Sequence, residues 1–275
     1  FHLDADGSVV QRHESDQGTK TITGGARGYE EILISILPLF DLSPAVPIRI
    51  SGMAGSKMGW LETGYAPTPA GRKEIAENHL PLPGFPDGRL YGGLMHTAKD
   101  GGRDVMRGEE VQILGVLGEY PGASTICLPG THSKWATVHE GRITAFRTVM
   151  TGDLFASLCQ GSIFREQIAD EVFHRDGFLH GCALAVQGVG LDDLFRLRTE
   201  FVFGTVSAEA FHSCLSGFLI ANELQAVQVT GTVHLCGAPA LTDLYTLALE
   251  HISVPSLTTD SESATIRGHL SLIQS

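Results

Sequence analysis

The sequence predicts an α/β protein of two lobes, and three observations support this prediction. Near the start, Tyr29–Phe40 has apolar residues at helical spacing and is followed by a short apolar strand at Pro47–Ile50, an alternation typical of α/β folds. Further along, two buried strands, Ser124–Leu128 and Val233–Cys236, each end at a glycine turn, which is where open sheets bind ligands. The chain of 275 residues also exceeds what a single core usually holds.

The other elements follow from the spacing of apolar residues and from turn signals. We expect the lobes to divide near Glu119–Ala123, into an N-terminal lobe of residues 1–120 and a C-terminal lobe of residues 121–275. The segment Ala66–Asp104 is rich in proline and glycine and predicts loops around one or two short strands. The remaining predictions are a hairpin over Phe1–Val10, a helix opening at Val105–Glu110, a helix over Asp153–Arg165 with helical structure on to Leu197, and helices over Phe211–Val227, Leu241–Leu249 and Ser261–Ile273.

Composition excludes several classes of function. The net charge is -12 with a pI near 5.4, which disfavours a nucleic-acid partner. No stretch of about eighteen apolar residues is free of charge, so no membrane span is predicted. Five scattered cysteines without a CxxC pair indicate reduced thiols and a cytoplasmic protein. The sequence leaves open whether the protein forms a homo-oligomer.

The turn after the strand Ser124–Leu128 is the first candidate site. It includes Gly130, Thr131, His132 and Lys134, and a glycine at the mouth of a hairpin lets backbone N–H groups approach a ligand. Hydroxyl and cationic donors at the same place predict a phosphate cradle. The alternative is a polar hairpin turn with an exposed lysine.

Two further motifs lie in the predicted N-terminal lobe. The first contains Gly52, Met53 and Ser56, with Trp60 shortly after. Glycines, a hydroxyl and a flat apolar wall are typical of sugar sites, although a strand–helix turn with a core tryptophan explains them equally well. In the second, Arg107 can bind a carboxylate through two hydrogen bonds. The acids that follow, Glu109 and Glu110, can take a proton from a hydroxyl, or can simply complement the start of a helix.

Two motifs remain in the second half. Thr151, in the motif Phe146–Asp153, is predicted to be a helix N-cap, with Asp153 as an acid of the first turn. The pairs Ser216-Gly217 and Gly237-Ala238 combine a small-residue helix with a glycine turn, and together predict a flat slot for a planar ring. Close helix packing is the alternative for the helical pair. A hydrolase built on Ser133 and His132 is disfavoured, because neighbouring side chains on a strand point apart and no Gly-x-Ser-x-Gly elbow is present.

Taken in order, these motifs resemble one family, the 2-oxo-3-deoxygalactonate kinases (2-dehydro-3-deoxygalactonokinases). The resemblance covers nearly the whole chain, and its most specific segment is Leu128–Trp135. The matching segments are Gly52–Ser56 with Gly59-Trp60, Asp104–Glu110 with Gln112, Leu128–Trp135, Phe146–Leu154, Leu215–Ile220 and Gly237–Leu241.

The resemblance implies an actin-like ATPase fold, with two ribonuclease-H-like lobes and a central cleft. It implies that ATP, with Mg²⁺, phosphorylates the 6-hydroxyl of 2-dehydro-3-deoxy-D-galactonate. Residues 130–132 would then form the second phosphate motif, and residues 237–239 the adenosine motif. Glu109 would act as the catalytic base, with Glu110 as its rival. Arg107 would bind the sugar-acid carboxylate, with Lys134 or Arg147 as competitors.

One departure from the family concerns the start of the chain. The family's first strand carries the first phosphate motif, with the aspartate that organises Mg²⁺, whereas Phe1–Asp4 resembles the strand after it. We therefore expect the main Mg²⁺ ligand in a segment before Phe1. Two rival functions stay open: a kinase for another sugar acid, and a non-catalytic sensor of ATP or of a sugar acid with the same fold.

We expect residues 1–275 by themselves to have negligible kinase activity, because the first strand of the family is required to hold the metal. Release of ADP in the presence of ATP and the sugar acid measures this activity, and robust turnover would contradict the expectation.

Overall fold

The computed structural model describes residues 1–273 and shows alternating strands and helices. The strands are His2–Leu3 (β1), Val9–Gln11 (β2), Ile48–Ile50 (β3), Tyr65–Pro67 (β4), His79–Pro81 (β5), Gly88–Tyr91 (β6), Gly93–Thr97 (β7), Arg103–Met106 (β8), Thr125–Leu128 (β9), Ser133–His139 (β10), Arg142–Val149 (β11), Val233–Gly237 (β12) and Ser256–Asp260 (β13). The α-helices are Ala26–Ile36 (α1), Arg72–Glu77 (α2), Glu109–Glu119 (α3), Thr151–Gly161 (α4), Arg175–Val186 (α5), Phe195–Val202 (α6), Ala208–Val227 (α7), Pro239–His251 (α8) and Ser261–Ile273 (α9).

The chain forms two compact units, and both are discontinuous. The first comprises residues 1–122, 138–146 and 261–273, and the second comprises residues 123–137 and 147–260. The first division between the units, between Gly122 and Ala123, lies within the predicted boundary region Glu119–Ala123. The last helix, α9, nevertheless groups with the first unit, because it packs along α3. A division of the chain near residue 120 therefore differs from the one that the packing produces.

The first unit contains a β1–β2 hairpin and two three-stranded sheets. Their strand orders are β3-β6-β5 and β4-β7-β8, and each sheet has one parallel and one antiparallel pairing. An apolar cluster around Leu90, Trp60 and Phe85 packs against β3 and the helix α1. Because these strands are only three to five residues long, they leave little period-two signal in the sequence.

The second unit contains most of a five-stranded mixed sheet of order β11-β10-β9-β12-β13, while residues 138–146 of β10 and β11 group with the first unit. The predicted hairpin is confirmed, because β9 and β10 pair antiparallel with Trp135 opposite Cys127. Strand β12 runs parallel to both β9 and β13, so β12, α8 and β13 form a βαβ unit. The 20-residue helix α7 lies in the core of this unit and packs most extensively on α5.

Several predicted elements are confirmed and others were wrong. The closing helix has the predicted bounds, and the helices near residues 153, 211 and 241 are present with earlier starts. The segment Ala66–Asp104 was predicted with too few elements, since five short strands and α2 fall in or across it. Val105 and Met106 end a strand, and the helix after them starts at Glu109. Within residues 1–273, no helix is both long enough and apolar enough to cross a bilayer.

Candidate active site

The predicted phosphate turn lies between β9 and β10 in the second unit. Thr131 and His132 are exposed at its tip. A side chain added at Gly130 would meet no atom within 4 Å, so the fold itself does not require a glycine there. Across the described stretch 128–134, no residue has a positive φ. The turn therefore lacks a left-handed residue, and its donors are separate N–H and hydroxyl groups with open space above Gly130.

The start of α4 lies directly against this turn. The Asp153 N–H donates to the carbonyl oxygen of Thr131 at 3.0 Å. A Cβ on Gly152 would lie 2.6 Å from the carbonyl oxygen of Gly130, so only glycine permits this approach. Because a helix start carries a partial positive charge and free N–H groups, this arrangement favours an anion beside the turn.

Two residues of this region are placed differently from the prediction. Lys134 was predicted to be a cationic donor of the cradle, and an exposed lysine was the alternative; it is only 6% exposed, and its Nζ donates to the carbonyl oxygen of His132 at 3.1 Å. Thr151 was predicted to be the N-cap of α4, but Met150 takes that place and Thr151 is the first helical residue. The Thr151 side chain turns inward because the buried carboxyl group of Glu223 accepts its hydrogen bond.

A buried polar network lies under the turn and was not predicted from the sequence. Glu223, on α7, is 2% exposed. Its carboxylate accepts hydrogen bonds from Trp135 Nε1 at 2.6 Å and from Tyr245 Oη at 2.7 Å, and the Thr151 side chain also binds it. The Ser133 hydroxyl lies 2.9 Å from Tyr245 Oη. The pKa of Glu223 is raised overall, because the effect of its burial exceeds that of the hydrogen bonds to Thr151, Trp135, Tyr245 and Ser133, which lower it. One signal was available, since Glu223 is the only acid in the apolar stretch 211–227.

Two cavities connect the turn with the predicted nucleotide residues. Ser216 and Gly130 both line a cavity of about 100 Å³, and Ser216 also lines a larger cavity of about 550 Å³. Gly237 lies beside Pro129, where the turn begins, and Ala238 caps α8. The larger cavity is bordered by Phe155, Glu171, Phe173, Arg175, His212, Ser213, Ser216, Ala240, Asp243, Leu244, Thr246, Leu247 and Glu250.

Gly217 does not take part in this cavity. A side chain at Gly217 would overlap with the carbonyl group of Phe178 on α5, so this glycine permits the close packing of α5 on α7. Helix packing, the alternative for this residue, therefore explains Gly217, and its role beside a nucleotide stays a prediction.

In the first unit, the structure brings the two predicted sugar-acid motifs together. Gly52 and Gly108 both have positive φ, at 89° and 102°. A Cβ on Gly108 would lie 3.1 Å from the Cα of Gly52. Next to this backbone contact, the Arg107 guanidinium donates to the hydroxyl and carbonyl oxygens of Thr63 and lies 4.3 Å from the centre of the Tyr65 ring. These contacts orient Arg107 and use only part of its five N–H donors.

The other residues of the first motif have different environments. Met53 is 53% exposed, whereas the Ser56 Oγ is buried and has no hydrogen-bond partner among the described residues. Trp60 is 5% exposed and stacks on Tyr29, with ring centroids 6.1 Å apart. Trp60 was predicted to form a substrate wall. That prediction was wrong, because the indole ring is part of the core.

The two acids at the start of α3 also differ in environment. Glu110 is fully buried, and its two carboxylate oxygens accept from the Gly108 N–H at 2.9 and 2.8 Å. Burial is the main cause that raises the pKa of Glu110, to about 8. Glu109 is partly exposed and accepts from the Arg107 N–H at 2.7 Å. Both acids accept hydrogen bonds from N–H groups before the helix start, but only Glu109 is accessible to a ligand.

The described residues do not provide a metal cage. Among residues 1–273, no three His, Cys, Asp or Glu side chains cluster in a way that could hold a metal ion. A Mg²⁺ ion with several protein ligands therefore does not fit this part of the chain. Ions of this kind are commonly held by one or two carboxylates and by the phosphates of the substrate.

The two units carry the features of a small-molecule kinase. One unit has an open turn against a helix start with a cavity beside it, and the other has an oriented arginine next to an accessible glutamate. Phosphoryl transfer depends mainly on positioning and on neutralising charge, and these groups suit both tasks.

Within that class, the sequence comparisons define the family. Residues 1–272 match the 2-keto-3-deoxy-galactonokinase family, and the chain belongs to this family. A candidate 2-dehydro-3-deoxygalactonokinase of Rhizobium meliloti (strain 1021) is 34% identical over 279 residues, which is 96% of this chain and 89% of the relative. The Escherichia coli (strain K12) 2-dehydro-3-deoxygalactonokinase is 32% identical over 183 residues, covering 66% of this chain and 61% of the relative.

A solved structure agrees with these relationships. The crystal structure of a candidate 2-dehydro-3-deoxygalactonokinase from Sinorhizobium meliloti superposes with a TM-score of 0.91 at 31% identity. The match covers 99% of this chain and 93% of that chain. The α/β fold is therefore shared over nearly the whole length.

The open space above Gly130 leads to a direct test of the phosphate turn. In Gly130→Ala, the free energy of unfolding should change by less than about 0.5 kcal/mol, because the new methyl group meets no neighbour. ATP binding should weaken about tenfold or more, because the methyl group occupies the space above the backbone. Urea unfolding and calorimetric titration with ATP measure the two effects. Gly161→Ala, which also adds a methyl group in open space, is the control, and equal ATP affinity in both variants would contradict the assignment.

The buried acid Glu110 leads to a prediction about pH. Its pKa is raised from 4.5 to about 8 in the folded state, so the folded protein holds this proton more tightly than the unfolded chain. Stability from this group is therefore lost as the pH rises from about 4.5 to 8. The Glu110→Gln variant lacks the titration, and its stability relative to wild type should improve steadily over this range. Urea unfolding at several pH values measures the difference. Exposed Glu209→Gln should give a flat difference, and a flat result for Glu110→Gln would show that the pKa is not raised.

Proposed function

We propose that this protein transfers the γ-phosphoryl group of ATP to the 6-hydroxyl of 2-dehydro-3-deoxy-D-galactonate, with Mg²⁺ bound to the nucleotide. The relatives supply the identity of the sugar acid, through their names. The structural observation that carries the proposal is the contact between the Gly130 turn and the start of α4, since this contact creates an anion site beside the cavity that Ser216 lines. The proposal includes the two ribonuclease-H-like lobes of an actin-like ATPase, which the mixed sheet of the second unit supports.

The second unit holds the nucleotide in this proposal. The N–H of Gly130 and the side chains of Thr131 and His132 bind phosphate oxygens, and the buried ammonium group of Lys134 adds positive charge beneath them. The cavity of about 550 Å³ bordered by Ser216 receives the nucleoside, and Gly237 and Ala238 lie before α8, whose residue Ala240 borders the same cavity. Mg²⁺ neutralises phosphate charge when it is bound.

The first unit holds the sugar acid. Arg107 binds its carboxylate through the N–H groups that Thr63 leaves free. The contact between Gly108 and Gly52 also brings the motif of Gly52, Met53 and Ser56 to this place. The buried Ser56 hydroxyl has no hydrogen-bond partner among the described residues and can donate to the ligand. Glu109 accepts the proton of the attacking hydroxyl, while Glu110 stays buried and supports the helix start.

We also propose a cytoplasmic location, which is supported by the five free cysteines. Disulfides are rare in that reducing compartment.

The division of tasks follows the two units, with the sugar acid on the first and the nucleotide on the second.

A substrate panel tests the proposed reaction. The complete protein should release ADP with 2-dehydro-3-deoxy-D-galactonate, with a kcat/KM about tenfold or more above that for its epimers. Phosphorus NMR should place the new phosphate on the 6-position. A higher kcat/KM with another hexonate would reassign the substrate, and ATP binding without ADP release for any acid would favour a sensor.

Replacing Glu109 and Glu110 in turn by glutamine tests which of the two acids is the catalytic base. In Glu109→Gln, kcat should fall about 10² to 10⁴-fold, because the proton acceptor is lost while the shape is kept. The KM for the sugar acid should change little. Glu110→Gln, at the adjacent residue, should keep kcat within a few-fold. Wild-type turnover by Glu109→Gln, or a loss confined to Glu110→Gln, would show that the base is not Glu109.

A further inference from the structure

Glu223 is a buried acid to which the proposed reaction gives no role. It is the only acid in the stretch 211–227 and is 2% exposed. Both of its carboxylate oxygens are used, since Oε1 accepts from Trp135 Nε1 and Oε2 accepts from Tyr245 Oη. Charged groups are rarely buried to this extent without a specific set of partners.

The partners of Glu223 belong to the elements on either side of the phosphate turn. Trp135 is on β10, which leaves the turn, and Thr151 is the first residue of α4, which lies against it. Tyr245 connects the carboxylate to Ser133, the first residue of β10, through the 2.9 Å contact between the two hydroxyl oxygens. One carboxylate therefore holds the strand after the turn and the helix beside it.

We propose that Glu223 is a positioning residue for phosphate binding, which fixes the Gly130 turn against the start of α4 by accepting hydrogen bonds from Trp135, Tyr245 and Thr151. This proposal rests on the proposed function, because it assigns the turn to the phosphates of ATP. Glu223 acts through its partners and has no contact with the nucleotide.

A carboxylate suits this task better than an amide. Four side chains hydrogen-bond to Glu223, namely Trp135, Tyr245, Thr151 and Ser133, and a carboxylate offers only acceptors. A glutamine would direct its NH₂ group at one of the donors, leaving both groups without an acceptor. Hydrogen bonds to a charged group are also stronger than those between neutral groups, so the turn is held more tightly by Glu223 than it would be by a neutral residue.

The test compares Glu223→Gln with Glu209→Gln, an identical change on the exposed first turn of the same helix. In the complete protein, Glu223→Gln should raise both the Kd and the KM for ATP about tenfold or more, as expected for loss of charge-assisted hydrogen bonds. The KM for the sugar acid should stay within about twofold, because Arg107 and its neighbours are unchanged. A general loss of structure would not separate the two substrates in this way. Glu209→Gln should match wild type.

Tyr245→Phe provides a second variant, which keeps the ring and removes the donor. It should raise the Kd for ATP several-fold, and the double variant with Glu223→Gln should be less impaired than the product of the single effects, because the two residues share one network. If Glu223→Gln does not fold, Tyr245→Phe alone decides between the outcomes. A folded variant whose Kd and KM for ATP stay within twofold of wild type would overturn the proposal. Wild-type protein that binds ATP but phosphorylates no sugar acid would instead contradict the proposed function, and the ATP Kd values would still test Glu223.

Discussion

The second unit depends on a buried acid, Glu223, that must be surrounded by hydrogen-bonding groups. Moving a carboxylate out of water costs several kcal/mol, and the fold offsets this cost at Glu223 by directing an indole N–H, a phenol and a threonine hydroxyl at it. These donors come from a strand and two further helices, so the carboxylate can be satisfied only when all of them are in place. A polar network of this kind favours one arrangement over its alternatives. The open turn above it then needs few stabilising contacts of its own.

Close approach of backbones is the second constraint on both candidate sites. In the first unit, Gly108 lies against Gly52, and in the second unit Gly152 lies against the carbonyl group of Gly130. A side chain at Gly108 or Gly152 would separate the segments that carry the functional groups. The sites are therefore built largely from main chain, with a few side chains such as Arg107 oriented by neighbours. Such sites tolerate little movement of their backbone, which suits a reaction that depends on positioning.

The sequence was sufficient where the signal is local. The hairpin around the phosphate turn, the long helix α7 and the closing helix all follow from turn residues and apolar spacing. It was insufficient where a partner distant in sequence decides the role of a residue. Tryptophan is a residue type that is common in sugar sites, but the rings of Tyr29 and Phe85 pack against Trp60 in the core. Gly217 was predicted to lie beside a ligand, but its lack of a side chain is already required by the close packing of α5 on α7. The role of Glu223 could not be inferred because its donors lie 88 and 22 residues away.

Each unit contains one of the two tryptophans of the chain. Tryptophan fluorescence can therefore be assigned to the two units separately. Trp60 lies among aromatic rings in the first unit, while Trp135 donates to a carboxylate in the second. An indole in an apolar cluster and an indole bonded to a charged group differ in emission energy and in quenching. We therefore expect the intrinsic fluorescence of this protein to combine two signals, of which the one from Trp135 reports on the strand that follows the turn.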